Sequence, residues 1–263
     1  MAKKEKEEYI EMTGLFGDAE DYHVYHMTTV DNLVAYAIGL LLGVIVVMVF
    51  FRSVIFSALA GVLWAVKAPA IYNDYKKKTR LKNLRLQFKD LLESLTASYS
   101  AGKNTPNAFV DALNDMISIY GEDSDIVNEL RIICAGLTNN FNIEQLLLDF
   151  AARSELDDVM SFANVFEVCN RQGSDLKRIV SDTRDIINDK IESEMEIETM
   201  LSGNKNELNI MMVMPLVIIL SLSTMGTATI VTNTPINVII KLICLGIFGL
   251  AYLLGRKIVD IKV

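Results

Sequence analysis

The sequence predicts an all-α membrane protein in which four transmembrane helices, arranged as two hairpins, flank a six-helix antiparallel cytoplasmic bundle. Three observations predict it. The 263 residues are 51% hydrophobic and 22% charged, and the charges are segregated into a few regions. Apolar runs long enough to cross a bilayer come in pairs, one pair on each side of a polar central block. Within that block apolar residues recur every three or four positions, and no stretch alternates as a strand would. The boundaries are a cytoplasmic N-terminal tail at 1–31, a first membrane hairpin at 32–72, the bundle at 76–206, a second hairpin at 208–255 and a cytoplasmic C-terminal tail at 256–263.

In the tail, Lys3, Lys4 and Lys6 are interleaved with Glu5, Glu7, Glu8 and Glu11, and apolar residues show no period. A mobile tail or a short surface helix is expected. It does not read as a secretory signal peptide, because it is long and acidic and the apolar run that follows leads straight into another. That run, Leu33 to Phe51, is nineteen residues without a charge, close to the roughly 20 needed to span the hydrocarbon. Arg52 and Ser53 interrupt it, and a second run follows from Val54 to Tyr72. At about 1.5 Å per residue the two runs together exceed one crossing, which predicts a tight turn between two spans. Ala35, Gly39 and Gly43 share one face at four-residue spacing, which lets another helix approach closely and predicts an oligomer or a complex with a paralogous partner. Lys67 and Lys241 lie near span ends, where their stems reach the interface.

Lys76 to Lys89 carries seven basic residues and no acid, with Lys76, Lys77, Lys78, Arg80, Lys82 and Arg85 at its start. Basic residues just after a span mark the cytoplasmic side, so the central block and both termini are placed there. The net charge of −8 and the acidity of the rest of the block exclude nucleic acid as a partner. Past the block, Leu208 to Ile240 contains no charge, with Asn233-Thr234-Pro235 as its turn signal. Pro215, inside the third span, is expected to kink that helix, because its ring leaves a carbonyl unpaired.

Six helices are read in the block. The first carries Leu81, Leu84, Phe88, Leu91, Leu92, Leu95 and Tyr99 on one stripe and stops at Gly102. Asn104 or Thr105 caps the second, with Pro106 at its first position. Ser124 caps the third, Asn139 to Asn142 ends it, and a short fourth carries Ile143, Leu146, Leu147 and Phe150. The fifth runs from about Leu156 to Arg171 and ends at Gln172-Gly173-Ser174. The sixth is the longest, from Leu176 to Leu201, apolar on one face and charged on the other.

Catalytic constellations are missing from the sequence. Gly102-Lys103 lacks the upstream glycine of a phosphate-binding loop, and neither a metalloprotease, a nucleophile-elbow nor a kinase signature occurs. His23 and His26 with Asp21 are too few to predict a metal site. Cys134, Cys169 and Cys244 form no CxxC pair and no even framework. No enzyme activity, cofactor or metal is expected. Glu122, Asp123 and Asp125 cluster in one loop, and Asp157 and Asp158 open a helix, both of which solvated turn and helix-start charges also explain.

Two segments carry a resemblance. LLESLTASYSAGKNTPNAF around Gly102 and Pro106, and FANVFEVCNRQGSDLKRIVSDTRDII around Gly173, resemble the F-domain platform proteins of type II secretion and type IV pilus machines, over most of Phe88 to Pro215. One such domain between two pairs of spans resembles the layout of TadB and TadC, the platform proteins of the Tad (Flp) pilus. The resemblance implies a non-enzymatic platform in the bacterial inner membrane. On it a hexameric secretion ATPase would dock and pass its motion to pilin subunits drawn from the bilayer. The acidic loop Glu122, Asp123 and Asp125 and the basic collar Lys76, Lys77, Lys78 and Arg80 are the contact surfaces expected for the ATPase, or for anionic lipid in the collar's case. The alternatives are a small membrane transporter or channel subunit and a membrane-anchored adaptor.

Overall fold

The computed structural model describes residues 12–15, 19–22, 24–51, 54–172, 176–224 and 235–259. Among these residues all regular structure is helical: α1 (Thr29–Phe51), α2 (Val54–Ser100), α3 (Thr105–Tyr120), α4 (Asp125–Thr138), α5 (Ile143–Ser154), α6 (Asp157–Gln172), α7 (Leu176–Thr224) and α8 (Pro235–Val259). Two compact units result. One comprises Met1–His26 and Asp74–Ile191, the other Met27–Asn73 and Glu192–Val263.

The first unit is built on the apolar stripes visible in the sequence. Leu84, Phe88, Leu91, Leu92 and Leu95 of α2 are buried together with residues from α3, α4, α5 and α6 and with Val180 and Ile187 of α7. Phe88 sits at the centre, its ring 5.6 Å from that of Phe162 and 6.2 Å from that of Phe150. Offset and edge-on aromatic contacts at such spacing add to the area they bury. The breaks are chemical. Gly102 adopts φ +77°, a left-handed conformation that favours glycine, just after α2 ends. The Asn104 side chain then accepts from the Asn107 amide to cap α3, so the cap is Asn104 rather than Thr105. Ser124 stands at the start of α4 without capping it; its hydroxyl donates instead to the Gly121 carbonyl. A polar seam joins α2 to α3 through Ser94 with Asp115 and Tyr120 with Asp90. Burial, then Asp90, pushes the Tyr120 phenol up to about 12.

One difference from the sequence reading concerns continuity: the second apolar run and the first bundle helix are one 47-residue helix. The sixth bundle helix runs on through Pro215 to Thr224, as a last bundle helix leading directly into the third span does. No glycine or proline separates Tyr72 from Leu81, so nothing in the backbone stops α2 where the composition changes. Among the described residues three helices are long and apolar enough to cross a membrane: Thr29–Val49, a stretch within Val54–Ser100, and Ile236–Gly255. The turn at Arg52 and Ser53, Gly173, and Asn233-Thr234 lie outside the described residues, while Pro235 opens α8.

In the second unit, Ala35, Gly39 and Gly43 of α1 are buried. A Cβ on Gly39 would lie 2.4 Å from Ala68 Cβ and 3.2 Å from Ala65 Cα and the Trp64 carbonyl. On α2, Gly61 approaches Val44 and Leu40 of α1 in the same way. The small-residue face expected to meet another copy is therefore covered by α2 of the same chain. Cysteines at Gly39 and Gly43 would report that intramolecular contact. Further along, a Cβ on Gly255 of α8 would meet Leu208 of α7 at 2.6 Å.

Candidate functional site

The N-terminal segment is where the structure departs most from the sequence. A mobile tail or surface helix was expected; instead residues 12–15 and 19–22 lie on the bundle, and Tyr22 is 2% exposed. The physical reason is an ion network that the sequence hides in separate segments. Arg153 of α5 and Glu129 of α4 are each 1% exposed, and they form a two-pronged pair, Nη1 to Oε1 and Nη2 to Oε2, both at 2.6 Å. Arg153 Nε donates to Asp149 at 2.9 Å, and its Nη1 also donates to the Glu20 carbonyl at 3.0 Å. The Tyr22 hydroxyl donates to Glu129 Oε1 at 2.7 Å, and the Tyr22 amide donates to the Arg153 carbonyl at 3.2 Å. Buried charges persist only when paired and hydrogen-bonded; Glu129 and Asp149 meet that condition for Arg153 within the bundle, and the segment lying on the pair adds the Glu20 carbonyl and the Tyr22 hydroxyl.

Arg80 closes the outer side. Its guanidinium stacks 4.7 Å from the Tyr22 ring, pairs with Asp125 at 2.6 Å and reaches Glu20 at 2.5 Å. Phe150 meets the same ring edge-on at 6.4 Å. Burial and then the Glu129 carboxylate hold the Tyr22 phenol far above its ordinary value, so it stays a donor at any physiological pH. For Arg153, burial opposes the charged form, but the Glu129 hydrogen bonds and charge outweigh it and raise the pKa further.

Two of the surfaces expected to meet a partner are thus joined to each other. Asp125 of the acidic loop and Arg80 of the basic collar form one ion pair. Glu122 and Asp123 remain exposed, with Glu122 held by Arg131 at 3.3 Å in a solvent-accessible contact that contributes little. In the collar, Lys78 is exposed and Lys76 and Lys77 are half-buried. Pro106 lies in the first turn of α3. Asp21 accepts the Met12 amide at 2.9 Å. His23 falls outside the described residues, and no group of three or more potential ligands is placed to hold a metal among those described.

A second cluster ties α2, α6 and α7. Asp158, at the start of α6, takes Arg85 on one oxygen at 2.5 Å and Lys190 on the other at 2.9 Å. Burial raises the Asp158 pKa, but Lys190 and Arg85 outweigh it, and the net shift is below the ordinary 3.8. A depressed carboxylate stabilises the fold above its unfolded pKa and loses that contribution as pH falls through the folded value. Asp158→Asn should therefore cost about 1–3 kcal/mol at neutral pH, a charge-assisted hydrogen-bond loss. The gap from the parent chain should close as pH falls below about 4. Denaturant unfolding at a series of pH values reads this directly, and a pH-independent gap would contradict it.

Tyr22, Glu129, Asp149 and Arg153 were not singled out from the sequence. A signal existed for two of them. Glu129 shares the face of Ile126 and Ile133, and Arg153 that of Leu146 and Phe150, so opposite charges stand on two faces expected to be buried. Comparison of the chain with protein families, curated proteins and solved structures gave no match.

Proposed function

We propose that the chain is a membrane platform of the Tad (Flp) pilus type or of a related secretion machine. In this reading it couples a cytoplasmic ATPase hexamer to pilin subunits, alongside a paralogous platform protein, in the bacterial inner membrane. The observation that carries the reading is helix continuity. α2 holds core positions such as Phe88 and also an apolar stretch long enough to cross a membrane. α7 likewise holds Val180 and Ile187 and runs on past Leu208. A helix shared by a packed domain and an apolar one can carry displacement between them without chemistry of its own.

Topology supports the same reading. The N-terminal segment packs into the core that α3 to α6 complete, so both must lie on one side of a bilayer, and an even number of crossings has to separate them. Crossings by α1 and by the first half of α2 satisfy that. A second pair, from Leu208 onward and in α8, makes four spans. The basic collar after the second crossing supports a cytoplasmic position for this side.

The test uses the full chain in detergent together with the secretion ATPase of the same host. Glu122→Lys combined with Asp123→Lys should abolish co-purification and filament assembly while leaving the chain folded. Asp125 is kept native, because reversing it would break the Arg80 pair and confound recruitment with stability. ATPase recruitment unchanged by the double variant removes the loop from the contact. No recruitment by the parent chain returns the protein to the adaptor or transporter class.

A further inference from the structure

We propose that residues 12–15 and 19–22 form a releasable strap, which opens and recloses on the bundle while the bundle beneath it stays folded. Three observations carry this. First, the strap is held almost entirely by polar contacts: of its residues only Ala19 and Tyr22 bury apolar surface in the core, while Met12 and Leu15 are 37% and 51% exposed. One aromatic ring is a small apolar gain against the backbone entropy of ordering eight residues, which places the segment at the low-stability end of the structure.

Second, the site under the strap is satisfied without it. Arg153 keeps both Glu129 oxygens and Asp149, and Arg80 keeps Asp125, when every strap contact is removed. The strap's own donors and acceptors, the Leu15 amide on Asp149, the Tyr22 amide and hydroxyl, and the Glu20 carbonyl and carboxylate, can all be taken up by water on release. Third, the fit is conditional on a glycine. A Cβ on Gly14 would lie 2.5 Å from Ala19 Cβ and 3.0 Å from Arg153 Nε, so the strap closes only if that position carries no side chain. Release exposes a preformed groove of two guanidiniums and their carboxylates, and it frees the chain that enters α1 seven residues after Tyr22, at Thr29.

Hydrogen–deuterium exchange on the full chain in detergent tests this, resolved at the amides of Leu15 and Tyr22 and of α4 and α5. In the parent chain the two strap amides should exchange at least about tenfold faster than the core amides of α4 and α5, as independent local openings do. Gly14→Val should accelerate the strap amides by a further factor of about ten or more and leave α4 and α5 unchanged. Strap amides that exchange at core rates in the parent chain, or a Gly14→Val chain in which α4 and α5 accelerate together with the strap, would overturn the proposal. Either result would make the segment an integral part of the bundle.

Discussion

Glu129→Ala should destabilise the first unit by about 3–5 kcal/mol, the cost of leaving a buried cation without its main partner. Arg153 cannot escape by losing its proton, since a guanidinium stays charged inside proteins, and in the variant Asp149 is the carboxylate left against it. Its side chain is 2% exposed, so water cannot replace two 2.6 Å hydrogen bonds without opening the α4–α5 contact. The same substitution removes the Tyr22 hydroxyl's acceptor, so the N-terminal segment should loosen as well. Against a total stability of about 5–15 kcal/mol, such a loss should leave a substantial unfolded fraction near physiological temperature. Pulse proteolysis across a denaturant series, following cleavage within 125–154, measures it. The companion Glu129→Leu with Arg153→Met separates charge from shape. Replacing both partners by apolar groups of similar volume should recover most of the loss, because the pair's attraction largely offsets its own desolvation. A double variant as unstable as the single one would mean that the pair itself, and not the orphaned charge, holds α4 to α5.

This network also marks what was legible in the sequence. Helical periodicity located the buried face of α2 to α5, because burying an apolar stripe is a local decision that repeats every turn; on α6 and α7 the same stripes also carry Val165, Ile186 and Met200, which are exposed. Phe88, Phe109, Leu130, Leu147 and Phe162, all 1% exposed or less, lie on such stripes. Turn chemistry located Gly102 and Asn104, because positive φ and an orphan amide are each met by very few residue types. Continuity between the second apolar run and the first bundle helix was not legible. Residues 72–81 change composition from apolar to basic, yet lysine and arginine are good helix formers and nothing there breaks α2. Nor was the docking of the N-terminal segment. Tyr22 is one aromatic residue among acids, and its burial depends on Glu129, Arg153 and Arg80, which are brought to it by three different helices. A contact between positions more than a hundred residues apart leaves no periodic trace.

The small-residue face of α1 shows the same limit from the other direction, and it carries the second large effect. Spacing identified Ala35, Gly39 and Gly43 as a close-approach surface but could not say what approaches; the partner is α2, with Gly61 and Ala65 on the matching face. Gly39→Leu should therefore separate the α1–α2 pair. The first added carbon alone would sit 2.4 Å from Ala68 Cβ and 3.2 Å from backbone atoms of residues 64 and 65, none of which can rotate away. Overpacking of this kind costs about 1–3 kcal/mol for small additions, and a leucine exceeds what a helix pair can absorb by local shifts. Gly39→Ala should lose part of the same stability, even though alanine is the better helix former by about 1 kcal/mol. Gly246→Ala and Gly249→Ala are the controls: nothing lies within 4 Å of an added carbon at either position, so both should be neutral or slightly stabilising. Trp64 is the only tryptophan of the chain, and its carbonyl is one of the atoms against Gly39, so its emission reads the pairing in the full-length protein. A shifted Trp64 spectrum and a lower melting temperature for Gly39→Leu, with both controls unmoved, are the expected results. An unchanged spectrum with altered oligomeric size would instead assign this face to contact between copies.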